Sequence, residues 1–282
     1  MEITNFLILN IGHALHDSDW NFHNIISPFT RIYYVTKGEG YVSIGEQTFR
    51  LRPGYMYMIP AFTEHSDFCE GIFNHFYVHI YEDVKNGESI IENYQFPFEI
   101  KGSGVEKNMF ELLCRKNPGL ALKYPDPRIY DNDVSLIEQV RFNRSRTLNE
   151  RMESMGAVLL FLSLFIANAS KKYSSKDPRI KLALKFINEN TDRAITVDET
   201  ARQACLSTNH FIRQFKEEIG ITPAQFIIEK KMMRAKLALA TESTPVNEIA
   251  YSLGYDDPSY FTRLFKRHVG KSPKQFRQDF ND

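Results

Sequence analysis

Two stretches near the C-terminal end of the chain share one pattern of apolar and polar positions. In the second stretch, apolar residues recur with the spacing of a single buried helical face, at Val246, Ile249, Ala250 and Leu253. Gly254 predicts the end of that helix, because glycine reaches positive φ without steric cost. Asp257 and Pro258 predict the start of the next helix, as a capping side chain and a first-turn proline. The pattern indicates two short helices joined by a tight turn.

The first stretch carries the same unit fifty residues earlier in the chain. The displacement superimposes the pairs Phe211 and Phe261, Arg213 and Arg263, Phe215 and Phe265, Lys216 and Lys266, Gly220 and Gly270, and Pro223 and Pro273. Such a repeat indicates two similar supersecondary units in tandem, each a helix-turn-helix. The stretch between them starts with Thr222 and Pro223, a cap and a first-turn proline, and then runs without a helix breaker to about Thr241. It predicts a connecting helix of roughly 28 Å. The alternative to DNA binding is a plain helical bundle, in which paired helices also occur.

The N-terminal part of the chain has a different pattern. Runs rich in β-branched and aromatic residues are separated by glycine and proline turn signals, and the clearest runs are 31–36, 41–44, 47–51, 55–60 and 73–81. Regularly spaced short strands predict a sandwich or barrel. Residues 105–172 lack strand alternation, and their apolar positions predict three helices, around Met109–Leu113, Val134–Val140 and 152–173. The third is apolar nearly all round, so we expect it to be buried on more than one side.

Charge changes the interpretation of the C-terminal part only. The formal net charge of the chain is zero, but residues 1–175 carry 17 Lys and Arg against 21 Asp and Glu, and the remainder carries 18 against 14. The positive surplus therefore lies where the helix-turn-helix pattern lies, as expected of a domain that binds nucleic acid. The three cysteines have no paired or metal-like spacing, and the N-terminus lacks a positively charged signal region. These features predict a reduced protein in the cytoplasm.

Residues 178–282 resemble the DNA-binding domain of the AraC/XylS family of transcription regulators. The resemblance depends on an ordered series of motif residues, namely Gly254-Tyr255, Ser259-Tyr260-Phe261, Arg263, Phe265-Lys266, Gly270, Ser272-Pro273 and Phe276-Arg277. It implies two helix-turn-helix units bridged by a long helix. The base-facing positions that it implies are Asn209, Ile212 and Arg213 in the first recognition helix and Pro258, Ser259, Thr262 and Arg263 in the second.

The side chains at these positions set what each one can contact. The two arginines can bind guanine with two hydrogen bonds, and Asn209 can bind adenine in the same way. Ile212 offers only apolar contact, and Pro258 donates no hydrogen bond, so both depart from an ideal base-contacting set. We assign Lys216, Lys266 and Arg267 to phosphate, where a cation positions the protein without distinguishing bases.

Residues of the N-terminal half resemble the cupin-like sensor domain of the same family, at Gly38-Glu39-Gly40, Arg52-Pro53-Gly54, Ile59-Pro60 and His65. Enzymatic cupins hold a metal with several histidines and a glutamate, whereas the strand at 31–37 supplies no such ligand. We therefore expect no metal, no cofactor and no enzymatic activity. For His65 we favour a structural hydrogen bond over a ligand contact.

A barrel mouth is a natural pocket for a small molecule. By resemblance to the sugar-responsive members, the ligand-contacting positions fall on Lys37, His75 and Tyr77. Alternate residues of a strand share a face, so His75 and Tyr77 should both point inward. His79 is expected to contribute little and to serve as an internal control.

The fold class predicted is α+β, with a cupin-like barrel at 1–104, a helical dimerisation and linker region at 105–175, and an all-α tandem helix-turn-helix domain at 176–282. Leu159, Leu162 and Phe165 are predicted at or just beneath a dimer contact, or packed on the barrel instead. The resemblance implies four partners: double-stranded DNA, a small-molecule effector such as a sugar, RNA polymerase contacted during activation, and a second copy of the chain. The alternative function is a DNA binder whose barrel is a scaffold without a ligand.

Overall fold

The computed structural model of the protein describes residues 5–83, 89–130, 139, 142–143 and 145–278. By their contacts, the residues form two compact units. The first contains Met1–Asp83 and Tyr94–Ser170, and the second contains Val84–Asn93 and Lys171–Asp282. The predicted helix at Val134, Ile137 and Val140 lies outside the described residues. None of the helices described is long and apolar enough to cross a membrane.

Eleven strands are described, and nine of them form two antiparallel sheets in the first unit. In chain order the strands are β1 Asn5–Asp17, β2 Asn21–Ile25, β3 Thr30–Gly38, β4 Gly40–Ile44, β5 Gln47–Leu51, β6 Tyr55–Ile59, β7 His65–Phe68, β8 Ile72–Asp83, β9 Tyr94–Gln95, β10 Glu99–Lys101 and β11 Ser170–Lys171. One sheet has the order β1-β8-β3-β6-β10 and the other β2-β7-β4-β5. The five runs predicted from the sequence are all strands.

The two sheets pack face to face around an aromatic core. Tyr33, Tyr57 and Phe73 of the first sheet cluster with Val42 and Leu51 of the second, and all five are at most 3% exposed. The cupin-like antiparallel fold predicted for this part of the chain is confirmed.

All described helices of the protein follow β8 in the chain. In chain order the described helices of the protein are α1 Ile90–Asn93, α2 Val105–Lys116, α3 Pro127–Tyr130, α4 Leu148–Ile166, α5 Pro178–Glu189, α6 Val197–Gln203, α7 Thr208–Ile219, α8 Pro223–Thr241, α9 Val246–Ser252, α10 Pro258–Val269 and α11 Pro273–Gln278, with a single 3-10 turn at Pro118–Leu120. Helix α4 begins with a capping box between Thr147 and Glu150. The prediction placed its end near residue 173, whereas the helix ends at Ile166.

The second unit is helical and contains the two predicted repeats. Helices α6 and α7 form the first helix-turn-helix and α9 and α10 the second, with α8 between them. The two recognition helices, α7 and α10, both end at glycines in the left-handed region, Gly220 at φ 89° and Gly270 at φ 84°. Gly254 ends α9 as predicted, and Cys205 takes the same left-handed conformation after α6.

Helix starts in the second unit repeat as well. Asp257 accepts a hydrogen bond from the backbone N–H of Ser259 at 2.8 Å, as expected of the predicted cap. Thr222 and Gln225 form a capping box at the start of α8, and Ser272 and Gln275 make the equivalent bonds before α11. Ser207 is the N-cap residue of α7 but makes no side-chain capping bond.

Candidate functional site

Each recognition helix has one buried aromatic face and one exposed polar face. Phe211 and Phe215 of α7 are fully buried, and so are Phe261 and Phe265 of α10. Their rings are paired, at centroid distances of 5.4 Å in α7 and 5.9 Å in α10. The motif phenylalanines are therefore core residues, and they fix which face of each helix meets solvent.

The exposed faces carry the side chains predicted to contact DNA. On α7, Asn209, Ile212, Arg213 and Lys216 follow one another at helical spacing and are all exposed. On α10, the exposed residues are Ser259, Arg263, Lys266 and Arg267, and Pro258 and Thr262 are half-buried. The structure thus brings the predicted base and phosphate positions of each unit onto one continuous helical stripe.

The two guanidinium groups at equivalent positions of the repeat are held only loosely. Arg213 lies 4.0 Å from Glu217, with 72% of its side chain exposed, and Arg263 lies 3.9 Å from Asp257, with 69% exposed. Exposed ion pairs of this kind contribute little, so either arginine can leave its carboxylate for a base edge or a phosphate.

A cavity of about 160 Å³ opens in the first unit. Its described walls come from β1 and the loop after it, from β3 and β8, and from the segment after the 3-10 turn. They are formed by His13, Ala14, Leu15, His16, Asp19, Trp20, Tyr33, His75, Tyr77, His79, Leu122, Pro125 and Tyr130. Aromatic faces and imidazoles thus dominate a pocket with one carboxylate, Asp19, which accepts a hydrogen bond from His16 at 2.9 Å.

Tyr77 of β8 lies opposite strand β1 and forms part of the cavity wall. Its neighbour in the register is Gly12, where any Cβ would overlap the tyrosine ring, so the close approach requires glycine. The Tyr77 hydroxyl accepts a hydrogen bond from the backbone N–H of Leu122 at 2.9 Å. The hydroxyl proton remains for a ligand acceptor.

His75 and His79 both line the cavity but differ in their hydrogen bonds. Arg31 donates to Nε2 of His79 at 3.2 Å, so the ring proton lies on Nδ1 and is donated to Asn10 at 3.3 Å. Nδ1 of His75 is buried and has no hydrogen-bond partner among the described residues. His75 therefore has a polar atom available for a ligand, whereas both nitrogens of His79 are occupied by the protein.

Two predictions about the cavity need correction. His79 was expected to contribute little and to serve as an internal control, but it lines the cavity with His75 and Tyr77, because strand alternation places all three on one face. Lys37 is exposed and is not among the described lining residues. The register of β3 against β8 shifts between Val35 and Lys37, and this bulge turns Lys37 away from the side that Val35 shares with His75.

His65 has the structural role favoured from the sequence. It is buried, and its Nδ1 donates to the carbonyl of Thr63 at 2.9 Å. The described residues contain no group of three or more His, Cys, Asp and Glu side chains that could hold a metal ion.

The predicted dimer residues lie on α4. Leu162 and Phe165 are buried within the chain itself, at 2% and 0% exposure, and Leu159 is half-buried. The outward face carries Met152 and Leu160 instead, at 65% and 41% exposure. Leu162 and Phe165 therefore lie beneath any contact made by this helix, because they pack into their own unit.

Acid is expected to destabilise the first unit. Burial holds the pKa of His75 and of His79 well below 6.5. As the pH falls through about 6.5, both histidines bind protons in the unfolded chain but stay neutral in the folded unit. The free energy of unfolding should then fall by up to about 1.4 kcal/mol per pH unit for each histidine. Trp20, 5.4 Å from His75 and the single tryptophan of the chain, reports the transition by fluorescence. A urea midpoint equal at pH 7.5 and 5.5 would contradict this.

Comparison with known proteins gives a family match within each unit. Residues 200–279 match a family described as a helix-turn-helix domain, and residues 10–71 match one described as an AraC-like ligand binding domain. The chain is 25% identical to the lactose operon transcription activator of Staphylococcus xylosus over 260 residues, which are 89% of this chain and 84% of that protein. It is 26% identical over 145 residues to the arabinose operon regulatory protein of Escherichia coli (strain K12), covering 51% of this chain and 43% of that protein.

A solved structure is also similar to the C-terminal part. It is the DNA-binding domain of AdpA in complex with a target DNA, with 27% identity, a TM-score of 0.34, and coverage of 36% of this chain and 92% of that chain. The chain spans less than half the length of the arabinose operon regulatory protein that it matches.

Proposed function

Because the chain belongs to the AraC/XylS family of DNA-binding transcription regulators, we propose that its two recognition helices contact adjacent major-groove segments of one operator, under control of a small molecule bound in the cavity of the first unit. The observation that carries the DNA part is the pair of equivalent exposed stripes on α7 and α10. The continuous 19-residue helix α8 joins the two helix-turn-helix repeats. At about 1.5 Å per residue it spans roughly 28 Å, close to the ~34 Å of one DNA turn.

The predicted residue roles follow from side-chain chemistry and exposure. Arg213 and Arg263 contact guanine, and Asn209 contacts adenine. At the other base-facing positions, Ile212 contacts a thymine methyl group. Ser259 and Thr262 each make a single hydrogen bond to a base. Lys216, Lys266 and Arg267 bind phosphates, which sets affinity and its dependence on salt.

Selection of binding sequences from random double-stranded DNA tests the DNA proposal. We expect the full chain to enrich a bipartite site whose two halves are centred about 10 base pairs apart. Affinity for that site should exceed affinity for random DNA by at least about a thousandfold at physiological salt. The proposal would be contradicted if no sequence were enriched, or if the protein bound selected and random DNA with equal affinity.

The effector part depends on the cavity walls. The aromatic rings of Trp20, Tyr33 and Tyr77 line the cavity together with His75, whose Nδ1 has no hydrogen-bond partner among the described residues. An aromatic face packs on the C–H face of a sugar ring, and the imidazole and phenol supply hydrogen bonds to hydroxyl groups. The proposed ligand is therefore a small polyhydroxylated molecule such as a sugar or related metabolite. The competing function, a scaffold without a ligand, predicts no stabilisation by any compound of a sugar and metabolite screen.

Tyr77→Ala is expected to abolish stabilisation of the protein by its effector, while DNA binding without effector stays unchanged. The substitution removes a cavity wall and the hydroxyl that faces the ligand. The shift of the unfolding temperature on adding effector measures the loss, because a ligand of the folded state stabilises it by mass action. Lys37→Ala is the matched control, since Lys37 is exposed outside the described cavity wall. A full response in Tyr77→Ala, or a lost one in Lys37→Ala, would reverse the assignment.

We further propose that α4 contributes to a homodimer through its outward face. Exposed apolar side chains at Met152 and Leu160 on one helix are typical of a surface that another chain covers. Sedimentation of the full chain should show self-association at tens of micromolar, and Leu160→Lys should weaken it by about tenfold or more. A strictly monomeric protein would contradict the proposal.

Other expectations from the sequence are proposals as well. The relatives are transcription regulators, which supports the absence of enzymatic activity, and metal analysis of purified protein tests it. The cytoplasmic location, the contact with RNA polymerase and the domain limits at 104 and 175 stay predictions.

A further inference from the structure

Lys231 lies in the middle of α8 and is buried, with 4% of its surface exposed. Its ammonium group donates hydrogen bonds to two backbone carbonyls, that of Arg193 at 2.7 Å and that of Leu253 at 2.5 Å. Nζ also lies over the face of the Tyr255 ring, 5.0 Å from the ring centroid. The group is therefore saturated by protein atoms within the helical unit.

The two carbonyls belong to opposite halves of the unit. Arg193 lies between α5 and α6, at the entry to the first helix-turn-helix, and Leu253 lies in the turn of the second. Leu253 is the C-terminal cap of α9, where backbone carbonyls lack partners within the helix and carry partial negative charge. One ammonium on the connecting helix thus joins the two repeats.

The backbones of the two repeats also touch at this place. Gly254 has φ 74°, and a Cβ on it would overlap the backbone of Arg193 and Ala194. Only glycine allows this approach. The contact between the repeats is thus made twice, once directly by backbone and once through Lys231.

Among the described residues, no carboxylate forms an ion pair with Lys231. The guanidinium of Arg193 pairs with Glu199 at 2.7 Å. Burial lowers the pKa of Lys231 to about 8, with a further lowering by Arg193 that Asp192 opposes. A buried cation loses its hydration and therefore adds little net stability, and in some proteins buried polar groups instead specify one arrangement among several.

We propose that Lys231 is a positioning residue that holds the two helix-turn-helix units in one relative orientation, so that both recognition helices meet one DNA duplex together. The inference rests on the proposed two-site binding of DNA. Lys231 itself contacts no base in this scheme. Its effect is on the gain in affinity that the second half-site provides once the first is bound.

The first experiment uses the unmodified full chain. We compare the selected bipartite site, the same site with one half scrambled, and the same site with about 5 base pairs, half a DNA turn, inserted between the halves. If the two helix-turn-helix repeats are rigidly joined, the insertion should lower the affinity to that of the half-scrambled site. Equal affinity with and without the insertion would show flexible units and overturn the proposal.

The second experiment substitutes the lysine. Lys231→Met keeps the length of the side chain and removes both hydrogen bonds, and we expect the ratio of affinities for intact and half-scrambled sites to fall by roughly tenfold. Binding to the half-scrambled site should change little. Lys231→Arg, which keeps donors and charge, should restore part of the ratio.

Lys230→Met is the matched control. Lys230 precedes Lys231 in the same helix and is nearly as buried, but its ammonium bonds Asn93 at 2.8 Å and pairs with Glu92. In Lys230→Met, the ratio of affinities for intact and half-scrambled sites should equal that of the unmodified chain. An unchanged ratio in Lys231→Met, or equal losses for both DNAs, would assign the lysine to general stability. If no DNA is selected at all, the proposed function fails and the unmodified chain has already shown it.

Discussion

Phe211→Ala and Phe261→Ala are each expected to lower the free energy of unfolding of the helical unit by about 3–5 kcal/mol. Both side chains are fully buried and occupy equivalent positions in the two repeats. Phe211 packs with Phe215 at 5.4 Å, and Phe261 with Phe265 at 5.9 Å, so truncation leaves a cavity beside a second ring. Each loss would exceed half of the stability of many domains of this size.

Two optical signals separate this effect from the rest of the chain. Far-UV circular dichroism in urea follows mainly the helical unit, whereas fluorescence of Trp20 follows the sheet unit. Only the first transition should move. Tyr251→Ala is the control, since Tyr251 is aromatic but 54% exposed, and a change within about 0.5 kcal/mol is expected. A small shift for either phenylalanine would mean that the repeat is not packed as described.

The helical unit could be predicted closely because its boundaries are set by local chemistry. Asp257 with Pro258 and Gly270 define α10 through capping, fixed φ and positive φ, and none of these depends on distant residues. Cys205 was missed as a helix end because its left-handed conformation is unusual for a residue with a side chain. Upstream of the turn the repeat is displaced by forty-nine residues, which places Cys205 on Gly254, and this equivalence was the signal that could have identified it.

The cavity was predicted only in part, because its residues depend on register and on distant segments. Alternation along β8 correctly paired His75 with Tyr77, and the same rule should have included His79. Lys37 was misplaced because a bulge does not show in the sequence of one strand. Tyr130, which follows β8 by many residues, reaches the cavity only through tertiary packing.

Lys231 illustrates a functional candidate that no pattern indicated. A lysine on a long helix is ordinarily a solvated surface residue. Its acceptors are separated from it by 38 and 22 residues, so the burial arises only when the two repeats close around the connecting helix.

Arg263→Ala is expected to weaken binding to the selected operator by roughly 1–3 kcal/mol and to relax the preference at one base pair. The reason is that an arginine at this exposed position can make two hydrogen bonds to the N7 and O6 atoms of guanine, which alanine cannot replace. Affinities for the operator, for its single-base variants and for random DNA, each measured across a range of salt concentrations, check the prediction.

Lys266→Ala is the comparison that gives the Arg263 result its meaning. Lys266 lies one turn further along the same exposed stripe and is assigned to phosphate. Its loss should weaken binding to all sequences alike and reduce the salt slope by about one, because one fewer counterion is released. The two variants should therefore separate on random DNA, where Arg263→Ala changes little and Lys266→Ala retains its full defect. Equal losses on operator and random DNA for Arg263→Ala would instead place that arginine on the phosphate backbone, and base recognition by α10 would then depend on Ser259 and Thr262.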